Sequence, residues 1–247
     1  MNRIRKYLHD ARTFPGDAAN AWRRERFGGV CEELAQRTAY RLVRWSRSLV
    51  LEQELAWSTD APPPAGIEIR QFSGPDWARM APLASLRTRT IMAMASARGR
   101  TLLVAWRGAA PVGYAWCSER MERDIETFPL PLPSDAAYLW GLYTPPAERC
   151  RGIGTALARA RLQWARDQGY RLAWRVIAVH NAASFRTAEK SSGRAPRILG
   201  ELRSLKLLWL RSMRYRAWER PLELTLAGPV VQATALPDEA RCASGDA

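Results

Sequence analysis

The sequence is short of lysine, histidine and cysteine, and it has no long apolar run. Its only lysines are Lys6, Lys190 and Lys206, so arginine supplies nearly all of the 38 basic residues. No stretch approaches the roughly 18 unbroken apolar residues that a membrane-spanning helix needs. The opening MNRIRKYLHDARTF is basic but lacks the apolar segment of a secretion signal, which predicts a cytoplasmic protein. Cys31, Cys117, Cys150 and Cys242 are far apart and make no paired framework. With His9 and His180 as the only histidines, no zinc-ligand spacing can be assembled, and no metal is expected. RNA-binding signatures, zinc-finger spacing and basic heptads are also missing, so no specific nucleic-acid partner is expected.

What is present is a globular composition, 47% hydrophobic and 25% charged, carrying a formal charge of +14. At 247 residues the chain can bury a substantial core. The charge favours anionic partners: phosphate-bearing cofactors, polynucleotides or acidic lipid.

Along the chain, three- and four-residue apolar spacing predicts helix over residues 17–46, broken at Gly28-Gly29, with a basic opposite face that allows peripheral contact with acidic membrane. SLVLEQELAW reads as a strand. The prolines 62–64 can continue neither helix nor sheet, which places an extension at residues 1–62, a main domain at 63–220 and a partly disordered tail at 221–247. In the main domain IEIRQF is a strand, Ser73 a candidate helix cap, and a helix is expected within residues 83–97. TLLVAW and VGYAWCSE form a hairpin. After a proline-punctuated loop come the strand AAYLWGLYT, a helix stopped by Gly169, the strand RLAWRVIAV, the short helix NAASFRTAEKS and one or two strands in residues 196–219. This order predicts an α/β or α+β fold with a sheet of mixed direction.

The stretch RCRGIGTALARAR puts two glycines at a strand-to-helix junction, where backbone N–H groups can converge on an anion and the first helical turn adds positive potential. A dinucleotide fingerprint would need a third glycine where Leu157 stands, and an acid about 20 residues on. A triphosphate loop would need a lysine after Gly154, where Thr155 stands. Neither fits. Arg149-x-x-Gly152-x-Gly154, with a strand immediately before it and Asn181-Ala-Ala-Ser184 closing the next strand, resembles the coenzyme A loop of the GNAT acyltransferase superfamily over roughly residues 66–212.

That resemblance implies a mixed, mostly antiparallel sheet flanked by helices, with two parallel strands splayed to hold the cofactor. It implies an acetyl-CoA or other acyl-CoA donor and transfer to the primary amine of a small molecule or peptide. The backbone amides of Arg149, Cys150, Arg151, Gly152, Ile153 and Gly154, with the Thr155 hydroxyl, would bind the pyrophosphate. Main-chain groups of Leu142, Tyr143 and Thr144 would pair with the pantetheine arm, one of them near Tyr143 or Thr144 stabilising the oxyanion, and Asn181 and Ser184 would line its far side.

Two side chains that many members use are replaced. Ala188 stands where a tyrosine would protonate the leaving thiolate, and the strand before the loop offers Tyr138, Trp140 and Gly141 in place of a glutamate. The candidate bases are therefore Glu119, Glu122, Asp124 and His180. Two other readings keep the fold: a longer acyl chain taken from an acidic acyl carrier protein, or a non-catalytic protein using its charge on nucleic acid or membrane.

Overall fold

The computed structural model describes residues 43–57, 61–121, 130–192, 194–207, 210–227 and 230–235. Nine strands, β1 (Val43–Glu54), β2 (Glu68–Gln71), β3 (Thr101–Arg107), β4 (Ala110–Ser118), β5 (Ala136–Tyr143), β6 (Leu172–Ala178), β7 (Arg197–Leu207), β8 (Leu210–Ala227) and β9 (Val230–Ala235), form one sheet. Their order across it is β2-β3-β4-β5-β6-β1-β7-β8-β9. Neighbours are antiparallel except β5 and β6, which run parallel. Three α-helices lie among the described residues: α1 (Leu86–Ala97), α2 (Ile153–Asp167) and α3 (Ala182–Ser192). A parallel pair cannot be joined by a tight turn, and α2 is the crossover that links β5 to β6.

Every residue of β3 except the last is buried because both faces of the sheet are covered. On one face Leu103, Ala115, Cys117, Leu139 and Ala173 meet Ile153, Leu157 and Leu162 of α2. On the other, Leu102, Val104 and Trp106 meet Met80, Leu83, Met92 and Ala95. The apolar stripe of α2 recurs at helical spacing, Ile153, Leu157 and Ala158, then Leu162 and Ala165. Leu157 and Leu162 are fully buried, each contributing about 1.5–3 kcal/mol. Close seating of α2 requires Gly113 on β4, where an added Cβ would lie 3.0 Å from Leu157 Cδ1 and 3.1 Å from the Tyr143 carbonyl oxygen. The helix stops at Gly169, whose φ of 82° is the left-handed conformation expected of a terminating glycine.

Three expectations change. Residues 43–46 are strand, not helix, and β1 lies on the N-terminal side of the proline segment yet is hydrogen-bonded between β6 and β7. The ladder with β7, continuous with the doubly paired part of β1 from Ser48 on, outweighs the weak helical periodicity of this arginine-rich stretch; the rest of the expected helix, residues 17–42, lies outside the described residues. Residues 221–227 and 230–235, assigned to the tail, continue β8 and form β9; residues 236–247 lie outside the described residues. Ser73 caps nothing: a short 3-10 turn at Trp77–Met80 follows it, and α1 is capped by Ser85, whose Oγ accepts the Thr88 N–H at 3.1 Å.

Two local features shape the C-terminal end of β5. The register with β4 shifts between Tyr114↔Tyr143 and Trp116↔Trp140, so β5 carries one extra residue, a bulge. Gly141 sits there with φ 56°, and an added Cβ would lie 2.9 Å from Trp116 Cδ1, whose ring stacks on Trp140 at 5.1 Å. Beyond β5, Arg107 at the end of β3 donates two hydrogen bonds to Glu148, at 2.7 and 2.6 Å, and Arg151 approaches the same carboxylate at 3.3 Å. Glu148 thus ties the following loop to the sheet.

Gly141→Ala adds both backbone strain and a clash, and is expected to lower unfolding free energy by about 1–3 kcal/mol in a denaturant titration; an unchanged midpoint would mean that the bulge does not form there. The hydrogen bonds from Arg107, then the charges of Arg107 and Arg151, hold the Glu148 carboxyl below its usual range against the opposing effect of burial. A depressed carboxyl stabilises the fold fully above its unfolded value, about 4.3, and loses that contribution as pH falls through the lower folded value. Melting curves of wild type and Glu148→Gln should therefore differ at pH 7 and converge below about pH 4; a gap that widens in acid would contradict the assignment.

Candidate active site

The parallel ladder between β5 and β6 is short. Its register runs Ala136↔Leu172, Ala137↔Ala173 and Tyr138↔Trp174, and then stops. Beyond Tyr138 and Trp174 the two strands part, so the edges that face each other across the gap carry no ladder. The wedge opens toward the loop that begins α2.

That loop is shaped to present N–H groups. Cys150 has φ 61° and Gly152 φ 76°, two left-handed residues within three positions. Alternation of this kind folds successive amides toward one concavity. Gly152 is the N-cap of α2 and has no side chain to satisfy the first helical turn. The Arg149 N–H bonds to Pro146 O and the Ala156 N–H to Gly152 O, but the amides of residues 150–155 have no acceptor among the described residues. Six consecutive donors, at the positive end of a 15-residue helix, form an anion cradle. The Thr144 hydroxyl, buried with no hydrogen-bond partner, borders it: a Cβ on Gly154 would lie 3.6 Å from that oxygen. Coenzyme A fits these groups, with an acceptor-seeking hydroxyl and six amides for a diphosphate and a stretch of β5 beyond the β6 ladder for an amide-bearing arm.

The structure brings most of the expected binding residues together. Leu142, Tyr143 and Thr144 line the β5 side of the wedge mouth, and Arg149, Cys150, Arg151, Gly152, Ile153, Gly154 and Thr155 make the cradle. The side chains of the two loop arginines are already engaged, Arg149 Nε with Thr144 O at 3.1 Å and Arg151 with Glu148. Asn181 stands at the N-terminus of α3, where its Oδ1 accepts the Ser184 N–H at 3.1 Å, so both residues close the β6 side as a helix cap. His180, exposed at the end of β6, is their neighbour.

The expected bases fare differently. Glu119 follows β4 beyond Ser118, which pairs with Tyr138, and lies at the closed end of the β5/β6 pair beside Arg120, Leu130 and Tyr170. The antiparallel return of β4 carries it away from the cradle, so it does not join this site. Glu122 and Asp124 lie outside the described residues. The backbone donors expected near Tyr143 or Thr144 to stabilise the oxyanion lie just beyond Gly141, where β5 carries an extra residue relative to β4.

Sequence reasoning missed two residues at the apex of the wedge. Arg161 on α2 and Arg175 on β6 are 5% and 4% exposed. Arg161 Nη1 donates to the carbonyl of Trp140, just past the last parallel pair, at 3.2 Å; Arg175, next to Trp174, reaches only Ser191 Oγ at 3.5 Å. The Nε of each is buried without a partner, and among the described residues neither makes an ion pair. Burial lowers the Arg161 pKa to about 10, and burial followed by the Arg161 charge drives that of Arg175 well down. Their neighbour Cys117 is pushed up to about 12 by burial and stays a neutral thiol. A signal was present: Arg161 interrupts the apolar stripe of α2, and Arg175 takes an inward position of alternating β6.

Comparison with known proteins agrees with this geometry. The sequence model of the acetyltransferase (GNAT) family matches residues 67–193. No curated protein matches the sequence. Among solved structures, the chain is similar to a Drosophila protein (16% identity, TM-score 0.46, 66% of this chain and 53% of the other). It is also similar to a GCN5-related N-acetyltransferase from Sphaerobacter thermophilus (14%, 0.46, 76% and 58%). A third is AAC(6')-Iy in complex with a bisubstrate analogue, CoA-S-monomethyl-acetylneamine (18%, 0.40, 52% and 90%). The chain spans about half the length of the Drosophila protein. The described fold and the match across the loop and both wedge strands agree: the chain belongs to the GNAT acetyltransferase family.

Proposed function

We propose that this protein is an acyl-CoA-dependent N-acyltransferase that moves the acyl group to a primary amine of a small molecule or peptide by direct attack in a ternary complex. The observation that carries the reading is the row of six unpaired amides at residues 150–155, set at the mouth of a parallel pair that opens after Tyr138↔Trp174. Acyl-CoA would supply the activated carbonyl, whose C–S bond breaks as the amine nitrogen bonds to carbon. The chain's own contributions are positional and electrostatic, the terms that matter most in acyl transfer.

The cradle would hold the diphosphate, with Thr144 Oγ1 as a further donor. Main-chain groups of β5 from Leu142 to Thr144, beyond the end of the β6 ladder, would pair with the pantetheine arm as an added strand, opposite Asn181 and Ser184. Backbone N–H groups at the Gly141 bulge would face the carbonyl oxygen as it gains charge. His180, on the β6 side of the same mouth, is the candidate base for the ammonium proton, through water.

A test must separate this cradle from the general anion affinity of a chain at +14. Gly152 is unsuitable, because its positive φ and a 3.2 Å approach to Pro64 Cγ would strain any replacement. Gly154 tolerates a Cβ at ordinary contact distances, 3.6 Å from Thr144 Oγ1 and 3.8 Å from Leu142 Cδ2. Thermal melts at moderate salt should show CoA and acetyl-CoA raising the wild-type Tm well beyond ATP, a stabilisation of about 2.7 kcal/mol at a hundredfold excess over Kd. Gly154→Glu, folded but with a carboxylate in the cradle, should lose that shift. Equal shifts in both proteins, or equal shifts with ATP, would defeat the proposal.

A further inference from the structure

The buried arginine pair is the least comfortable feature of this protein in physical terms. Removing one guanidinium from water without a counter-charge costs several kcal/mol, and two side by side also repel. Replacing a buried, unpaired charge with an apolar side chain of similar volume commonly stabilises a fold. Here the apolar alternative is easily available, since both positions sit on otherwise apolar surfaces of α2 and β6. The surroundings are polar in the same unfinished way. Gln53 on β1, opposite Ala173 and so one pair along from Arg175 on the same face of the sheet, is 5% exposed, and neither amide atom has a partner. Ser191 spends its own hydroxyl proton on Ala188 O at 2.7 Å and can only accept from Arg175.

The location gives this a direction. Gly154 in the cradle and Arg161 are seven residues apart on α2, which places them on one face of the helix, two turns or about 10 Å apart. Arg161 also holds the carbonyl of Trp140, and Arg175 adjoins Trp174, so both guanidiniums stand where β5 and β6 come together. A ligand anchored by phosphate at the mouth and extended down the wedge ends at these two cations. Planar guanidinium forks are matched in geometry to a carboxylate, which they bind bidentately.

We propose that Arg161 and Arg175 form a carboxylate subsite at the inner end of the wedge, and that the acyl group of the donor thioester is that of a dicarboxylic acid. This rests on the coenzyme A reading of the cradle. Approach along the α2 face assigns the carboxylate to the donor, while a carboxylate on the amine acceptor, or a free dicarboxylate, would show the same chemistry from another source.

Calorimetric titration of the full chain separates these. The probes are CoA, butyryl-CoA, succinyl-CoA, whose chain has the same number of carbons plus the charge, and free succinate, all at one ionic strength. Succinyl-CoA should bind at least about tenfold more tightly than butyryl-CoA, the size of a charge-assisted bidentate contact. Arg161→Met and Arg175→Met should each remove most of that preference, and without ligand each should melt higher than wild type. Binding of CoA with no preference for succinyl over butyryl overturns the subsite but leaves the cradle standing. Failure of every CoA species to bind overturns the cradle and the subsite together. A preference that survives in both variants places the carboxylate on another cation and overturns the assignment. Free succinate that binds as tightly as succinyl-CoA, or a lower Tm in both variants, likewise overturns the donor subsite.

Discussion

Everything at this site depends on a ladder that ends after three residue pairs. Parallel strands β5 and β6 are hydrogen-bonded from Ala136↔Leu172 to Tyr138↔Trp174, and each then follows its other neighbour, β4 or β1. Unpaired backbone groups are costly when buried, so the wedge exists only because something else takes them. At the apex a guanidinium takes the Trp140 carbonyl, and nearer the mouth the Arg149 guanidinium takes that of Thr144. The bulge at Gly141 belongs to this arrangement, because an extra residue on β5 lets the strand keep β4 while leaving β6. The glycine is there because the Trp116 ring leaves no room for a Cβ.

The parts of the fold legible in the sequence are those whose signals are local. The hairpin of β3 and β4, the helix from Ile153 to its stop at Gly169, and the short helix after Asn181 each follow from turn chemistry or periodicity within a dozen residues. The concave loop before α2 was legible for the same reason, as glycines at a strand-to-helix junction. What escaped depends on distant partners. Val43–Ser46 look mildly helical alone and become strand because β7 pairs with them and they lead into the segment of β1 held by both β6 and β7. The β8–β9 ribbon extends a region whose composition reads as a polar tail. Glu119 looked close to the site because it follows a strand that borders it, but the antiparallel return of that strand carries it to the far end.

The arginine content also looks different once the fold is known. A charge of +14 invites a single explanation, yet the cations near the site divide by environment. Arg107 and Arg151 are spent on Glu148, and Arg149 on the Thr144 carbonyl, so the positive potential of the loop concavity comes from backbone amides, which do not titrate. Glu201 similarly holds Arg47 and Arg203, each through its Nε at 2.6 Å. Among the described cations near the site, Arg161 and Arg175 are the two that are deeply buried without an ion pair. An arginine-rich surface and an arginine-bearing interior thus have separate physical consequences.

The place of β1 in the sheet has a consequence for how the molecule comes to be folded. Its partner β6 is far along the chain: the hydrogen bond from Trp174 Nε1 to Glu52 spans 122 residues. Closing so long a loop carries a large entropic penalty, and sheets built on such pairings assemble slowly. During synthesis the hairpin of β3 and β4 and the strand β5 are made well before β6, so β1 waits without either of its neighbours. The outer wall of the wedge is therefore among the last parts to form, and the wedge acquires its shape only when β1 meets a strand made long after it.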